Sequence, residues 1–243
     1  MWGSSDDDRL ARALGYPFDI PDNSFVYEDG ETRAFEDPGE RDGRIPVIAC
    51  GSNRAPKQLA WKYRGQKKTK IPVERAWLAD FDVVHVAHLT SYGSIAAALQ
   101  HVEAMRVEVS INWLSEDQLA LMHETESIGE HYHYARLDRI ALDGEVGGRL
   151  DSAFAYMTIL GCLSVAGALA GLAAVRAEQR PHAAMTQAEI QAHVHARLGE
   201  DGHHESFILD NIADADLRRA RTRVLAGDAH PFAWPHLEVR EPS

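Results

Sequence analysis

An α+β fold is expected from three features of the 243-residue sequence: a middle stretch of consecutive apolar, β-branched runs, two capping-box patterns that open helices, and a C-terminal third rich in Ala and helix formers. With 45% hydrophobic residues the chain can bury one substantial core. We therefore expect a single domain over 1–243, made of an N-terminal extension (1–43), a core (44–160) and a helical C-terminal part (161–243) packed on that core.

Residues 1–43 are acidic and rich in Gly and Pro, with short apolar clusters at Tyr16-Pro17-Phe18 and Phe25-Val26-Tyr27, as suits an extension that packs onto a core. Pro46 to Cys50 then forms a short apolar strand. Pro56 fits the first turn of a helix through Lys62, where its missing N–H costs nothing. Strand patterns follow at Ala76 to Leu89, Ser94 to Leu99 and Val107 to Leu114, and several consecutive strands favour a sheet or barrel. Ser115-Glu116-Asp117-Gln118 opens a helix expected to end near Ser127 or Gly129. His131 to Ala141 and Ala153 to Ile159 are the remaining strand candidates. Further helices are expected over Ser164 to Gln179, from the capping box at Thr186 to Glu189 towards Leu198, and over Phe207 to Leu225.

The formal net charge of −12, from 37 acidic against 25 basic residues, argues against a general nucleic-acid binder, which needs clustered Lys and Arg along phosphates. The one basic cluster, Arg64 to Lys70, reads as a solvated loop. Cys50 and Cys162, the only cysteines, make neither a disulfide framework nor a zinc-site spacing, and a reducing cytoplasm fits. The first residues lack the basic and apolar regions of a secretory signal. Ala153 to Val175 is uncharged and long enough to span a bilayer as a helix, but its aromatic and β-branched start favours a buried strand, so no membrane partner is expected. His131/His133, His193/His195 and His203/His204 have no supporting ligands at metal spacing, and no metal is assigned.

Gly51-Ser52-Asn53, between a strand and a helix, can cradle an anion or oxyanion, because Gly permits close approach and helix-initial N–H groups point at a ligand. An ordinary strand-to-helix turn capped by Asn53 is the alternative. Cys50 reads as a small apolar strand residue, since no His or Asn partner for a nucleophilic thiol is assignable.

The string Arg44 to Leu59, Arg-Ile-Pro-Val-Ile-Ala-Cys-Gly-Ser-Asn-Arg-Ala-Pro-Lys-Gln-Leu, resembles the signature of γ-glutamylcyclotransferase-like proteins, which reads strand, Tyr-Gly-Ser-Asn, helix. Cys50 stands where Tyr is usual. Leu78 to Val84, Gly93 to Leu99 and Val107 to Asp117 are similar to later segments of that family, and Met122-His123-Glu124-Thr125-Glu126-Ser127 matches its Leu-Asp-x-x-Glu-Gly, with His123 and Ser127 as departures.

The resemblance implies a small mixed β-barrel or curved sheet with flanking helices over Arg44 to about Thr158. It makes Glu126 the catalytic candidate, with Glu124 as competitor. It also implies Cys50, Gly51, Ser52, Asn53, Tyr132, Tyr134 and Tyr156 as substrate-binding residues for a small γ-glutamyl compound, with no cofactor. By that resemblance the substrate's own amine attacks its γ-carbonyl, releasing 5-oxoproline and an amine. A catalytically silent small-molecule binding protein of the same fold is the other expectation.

Overall fold

The computed structural model describes residues 2–199 and 201–240, an α+β architecture built round a closed five-stranded mixed barrel. The elements run α1 (Asp6–Leu14), β1 (Phe25–Glu28), β2 (Glu31–Ala34), β3 (Ile45–Ala49), α2 (Pro56–Lys62), β4 (Lys70–Leu89), β5 (Ile95–Leu114), α3 (Glu116–Glu124), β6 (Tyr132–Gly144) and β7 (Gly148–Thr158). Five two-residue strands follow: β8 (Ser164–Val165), β9 (Ala168–Leu169), β10 (Gly171–Leu172), β11 (Ala177–Glu178) and β12 (Ala184–Met185). The chain then continues through α4 (Gln187–Leu198), α5 (His204–Ala213), α6 (Ala215–Ala226) and β13 (Leu237–Val239).

The barrel is β3, β5, β4, β6 and β7, antiparallel throughout except that β3 runs parallel to β7. β4 and β5 are too long to stay within it. A bulge between Ala79 and Phe81 bends their hairpin, and there Asp80 takes φ 61° and accepts the Ala104 N–H at 2.9 Å. The distal arm, from Phe81 to Leu89 and from Ile95 to His101, carries the C-terminal segment and helix α6. Barrel strands bury apolar residues such as Ile48, Leu78, Val109, Ile111, Leu137 and Leu142 in one large cluster. An acidic side chain sits there as well: Glu74, fully buried, accepts from the Trp113 indole at 2.9 Å and from the Val146 and Gly147 N–H groups, which satisfies both of its oxygens.

The first 43 residues contribute to the sheet itself. β1 pairs with β2 across Asp29-Gly30, both at positive φ as a two-residue hairpin turn requires, and β1 also pairs with Lys70 to Val73 at the start of β4. Helix α1 is opened by a Ser5/Asp8 capping box.

Two expectations about the C-terminal third are corrected. Ser164 to Gln179 is not a helix: it holds β8 to β11 and their turns. Ala166 and Gly167 both take positive φ, 52° and 83°, closing the β8–β9 hairpin, while β10 pairs with β4 and β11 with β5. The open edges of the long hairpin supply partners that outweigh the helix propensity of an Ala-rich stretch already interrupted by glycines. Phe207 to Leu225 is two helices, because Asp214 adopts an extended conformation and its side chain caps the Asp216 and Leu217 N–H groups at 2.9 and 3.0 Å, starting α6 afresh. Helix α3 stops at Glu124, short of the expected Ser127 or Gly129. Within the span read as a possible membrane helix, Ala153 to Thr158 belongs to β7. Among the described residues no helix is long and apolar enough to cross a membrane.

Candidate active site

A cavity of about 610 Å³ opens where the end of β3, the β4–β5 tip, α2, the turn after α3, α1 and α6 converge. Its wall includes Cys50, Gly51, Ser52, Asn53, Glu126, Tyr132 and Tyr156. These residues, scattered over more than a hundred positions in sequence, are thus brought to one place. Tyr134 is not among the lining residues. It stacks on Phe154 with centroids 5.0 Å apart and sits edge-on to His123 at 4.6 Å, so it supports the wall from behind. Glu124 is exposed at the helix end and does not reach the cavity.

The loop after β3 is anchored by the residue that follows it. Arg54, 1% exposed, donates from Nη2 to the Glu108 carboxylate at 2.6 Å, from Nε to Ser110 Oγ at 3.2 Å and from Nη1 to the Glu108 carbonyl at 3.3 Å. Asn112 Nδ2 adds a bond to the Asn53 carbonyl at 3.0 Å. Pinned to β5 this way, the loop turns into a short 3₁₀ segment, Ser52–Arg54, and among the described residues the N–H groups of Gly51, Ser52 and Asn53 have no acceptor. Donors left open in this way are able to receive an anion.

Glu126 lies directly across from this loop. Its Oε1 accepts from Asn53 Nδ2 at 2.8 Å and is ion-paired with Lys62 Nζ, which also donates to Thr125 Oγ1 at 2.6 Å. Both bonds fall on Oε1, Oε2 has no partner among the described residues, and the carboxylate is oriented without being consumed. Two amide oxygens nearby, Asn53 Oδ1 and Gln58 Oε1, are buried with no donor. Buried acceptors of this kind can be matched by ordered water or by a ligand's N–H groups. The constellation offers acceptors for an amine, a carboxylate with one free oxygen to move a proton, and N–H donors for developing negative charge.

Phenols and imidazoles complete the wall. Tyr156 hydroxyl pairs with His123 Nδ1 at 2.9 Å, so His123 fixes a tyrosine. Tyr16 accepts the Ala97 N–H at 2.9 Å, and burial holds its pKa far above the ordinary phenol value, leaving its own proton for a ligand. Burial raises Tyr92 to about 12, opposed by the adjacent Ser52 hydroxyl and the Arg12 charge. The Cys50 thiol is likewise pushed up to about 12 by burial and rests 3.7 Å from the Ala97 carbonyl, a protonated wall residue and not a nucleophile.

Tyr16 comes so close to Gly51 that a Cβ there would overlap its hydroxyl, with the ring carbon Cζ at 3.0 Å. Gly51→Ala is expected to destabilise the protein by about 1–3 kcal/mol through overpacking. In a Tyr16→Phe background the same substitution should cost distinctly less, as read from urea midpoints of the four proteins. Equal costs would contradict the contact.

His88, 2% exposed, stacks on His131 at 4.5 Å and lies 3.4 Å from the Tyr132 hydroxyl through Nε2. Burial, reinforced by His131, lowers its pKa from 6.5 to about 3. The unfolded imidazole binds a proton below 6.5 and the folded one only near 3, so this contribution to stability is complete above pH 6.5 and is lost as pH falls towards 3. Between pH 7 and pH 4, His88→Gln should therefore lose about 3 kcal/mol less stability than the parent, at about 1.4 kcal/mol per pH unit. Parallel loss in the two proteins would contradict the assignment.

Sequence reasoning missed Tyr16, Gln58, Lys62, His88 and Tyr92. Gln58 and Lys62, one turn apart beside buried Leu59 on α2, carried a signal: two polar residues on the face that must be buried. Among the described residues no group of three or more His, Cys, Asp or Glu side chains is arranged to hold a metal ion. No family model, curated protein or solved structure matches the chain.

Proposed function

We propose that this protein is a cyclotransferase that cleaves a γ-glutamyl amide by intramolecular attack, releasing 5-oxoproline and an amine, with Glu126 as general acid and base. The observation that carries the reading is Glu126 Oε1 held by Asn53 and Lys62 in the same cavity as the unpaired N–H groups of Gly51 to Asn53. The resemblance of Arg44 to Leu59 and Met122 to Ser127 to γ-glutamylcyclotransferase-like proteins supports the same chemistry.

In this mechanism the substrate's neutral α-amino group, held by Asn53 Oδ1 and Gln58 Oε1, attacks its own γ-carbonyl carbon. The carbonyl oxygen takes the displaced electron pair and is received by the N–H cradle. Glu126 Oε2 accepts the proton from the attacking nitrogen and returns it to the departing nitrogen as the old C–N bond breaks. No enzyme nucleophile takes part, consistent with a Cys50 thiol kept protonated. Folding the substrate so that its two ends meet is the main task, and a rigid loop tied to β5 by Arg54 and Asn112 suits it. Incubation with a panel of γ-glutamyl peptides and amines, followed by mass spectrometry for 5-oxoproline, tests the reading: turnover of at least one member is expected, and none on any member would overturn it.

A further inference from the structure

The outer part of the cavity carries charge that the proposed reaction does not use. In a chain of net charge −12, the lining cations are Arg12, Lys62, Arg218, Arg219 and Arg223, against only Glu126 and Glu130. Lys62 is neutralised by Glu126, and Arg219 pairs with the exposed Asp216. Arg218 donates to the Asn211 carbonyl. Arg223 likewise donates to a carbonyl, that of Arg219 at 3.4 Å, and Arg12, Arg218 and Arg223 have no carboxylate partner among the described residues.

Arg12 is the most telling of the three. Its guanidinium is half-buried between aromatic faces, 4.5 Å from the Tyr92 ring centroid, 5.0 Å from Trp2 and 5.5 Å from Trp61, and its Nε is buried with no hydrogen-bond acceptor. Cation–π contacts orient a guanidinium without satisfying its N–H groups, so Arg12 lines the cavity as an oriented, half-buried cation. Arg223, exposed on α6, lines the same space. A glutamyl unit is residue-sized and fills only a minor part of 610 Å³, and the cradle and Glu126 already account for it. On the cyclotransferase reading the remaining volume is left for the departing amine.

We propose that this outer part is a subsite for a dianionic group, a phosphoryl group or a pair of carboxylates, carried by the amine that is released, and that Arg12 and Arg223 bind it. Calling the ligand a leaving group rests on the cyclotransferase reading; the anion subsite itself does not. Guanidinium groups without a carboxylate partner suit a group that carries two negative charges, and Arg presents the paired donors that carboxylate and phosphate accept.

The test has a catalytic and a binding arm. γ-Glutamyl-glutamate and γ-glutamyl-O-phosphoethanolamine are compared with γ-glutamyl-pentylamine. The dianionic amides should be favoured at least about 10-fold in kcat/KM through lower KM. Arg223→Glu, at an exposed site that tolerates substitution, should reduce that preference ratio by about 10- to 100-fold, and Arg12→Gln should act in the same direction. Raising the salt concentration should erode it. A ratio near one in the parent protein, or unchanged in both variants, overturns the subsite while leaving cyclotransferase activity standing. Calorimetry with glutarate and with O-phosphoethanolamine reads the subsite without turnover. Binding by the parent that is lost in the variants, with no amide turned over, upholds the anion subsite and sinks the cyclotransferase reading. Whichever probe binds more tightly identifies the source of the charge.

Discussion

Glu126→Gln is expected to lower 5-oxoproline formation by about 100- to 10,000-fold, the range over which a positioned acid–base group contributes. The amide keeps an oxygen for Asn53 and Lys62 but has no oxygen that can take and return a proton. The substitution also leaves Lys62, whose side chain is 4% exposed, without its counter-charge, and stability should fall by about 1–3 kcal/mol. Those two losses can be separated. Lys62→Met in the Glu126→Gln background removes the stranded ammonium and should recover stability without recovering turnover, as read by thermal unfolding and product analysis on the same samples. If the double variant regains activity, or Glu126→Gln never loses it, Glu126 is not the proton carrier.

Arg54→Ala should cause the largest loss of stability, about 3–5 kcal/mol, because it removes one partner of a buried ion pair. Glu108 also contacts Arg176 and, at 3.7 Å, Arg75, so part of its charge remains compensated and the lower half of that range is the better expectation. Burial lowers the Arg54 pKa and Glu108 opposes it, as expected for a guanidinium held inside by its partner. The same change frees the Gly51–Asn53 loop from β5, so kcat should fall in whatever folded protein remains. Chemical denaturation checks the first effect and activity per folded molecule the second. Unaltered stability would mean that the buried pair contributes nothing net.

The barrel strands were legible in sequence wherever local pattern and burial agree. Val83, Val84, Val86, Val107, Val109 and Ile111 are buried strand residues that also read as strand by composition. Capping boxes at Ser115 and Thr186 gave both helix starts correctly. The Ser5/Asp8 box and the Asp29-Gly30 turn were equally local signals, and they place α1 and the β1–β2 hairpin that a reading of mere extension passed over. Ser164 to Gln179 was illegible for another reason: its strands exist only because β4 and β5 offer edges, a fact about tertiary structure that composition cannot encode. The candidate site divides in the same way. Gly51, Ser52, Asn53 and Glu126 stand in ordered motifs, whereas Arg12, Tyr16, His88 and Arg223 reach the cavity from remote elements whose approach only the fold determines.

The most direct measurement is a turnover experiment in ¹⁸O-labelled water with a γ-glutamyl amide that the protein accepts, following both possible products by mass. Intramolecular attack by the substrate's amine predicts 5-oxoproline that carries no solvent oxygen, in step with the released amine, and no glutamate. Glutamate bearing one labelled oxygen would show attack by water, and would contradict the proposed use of Glu126 and the Gly51–Asn53 cradle.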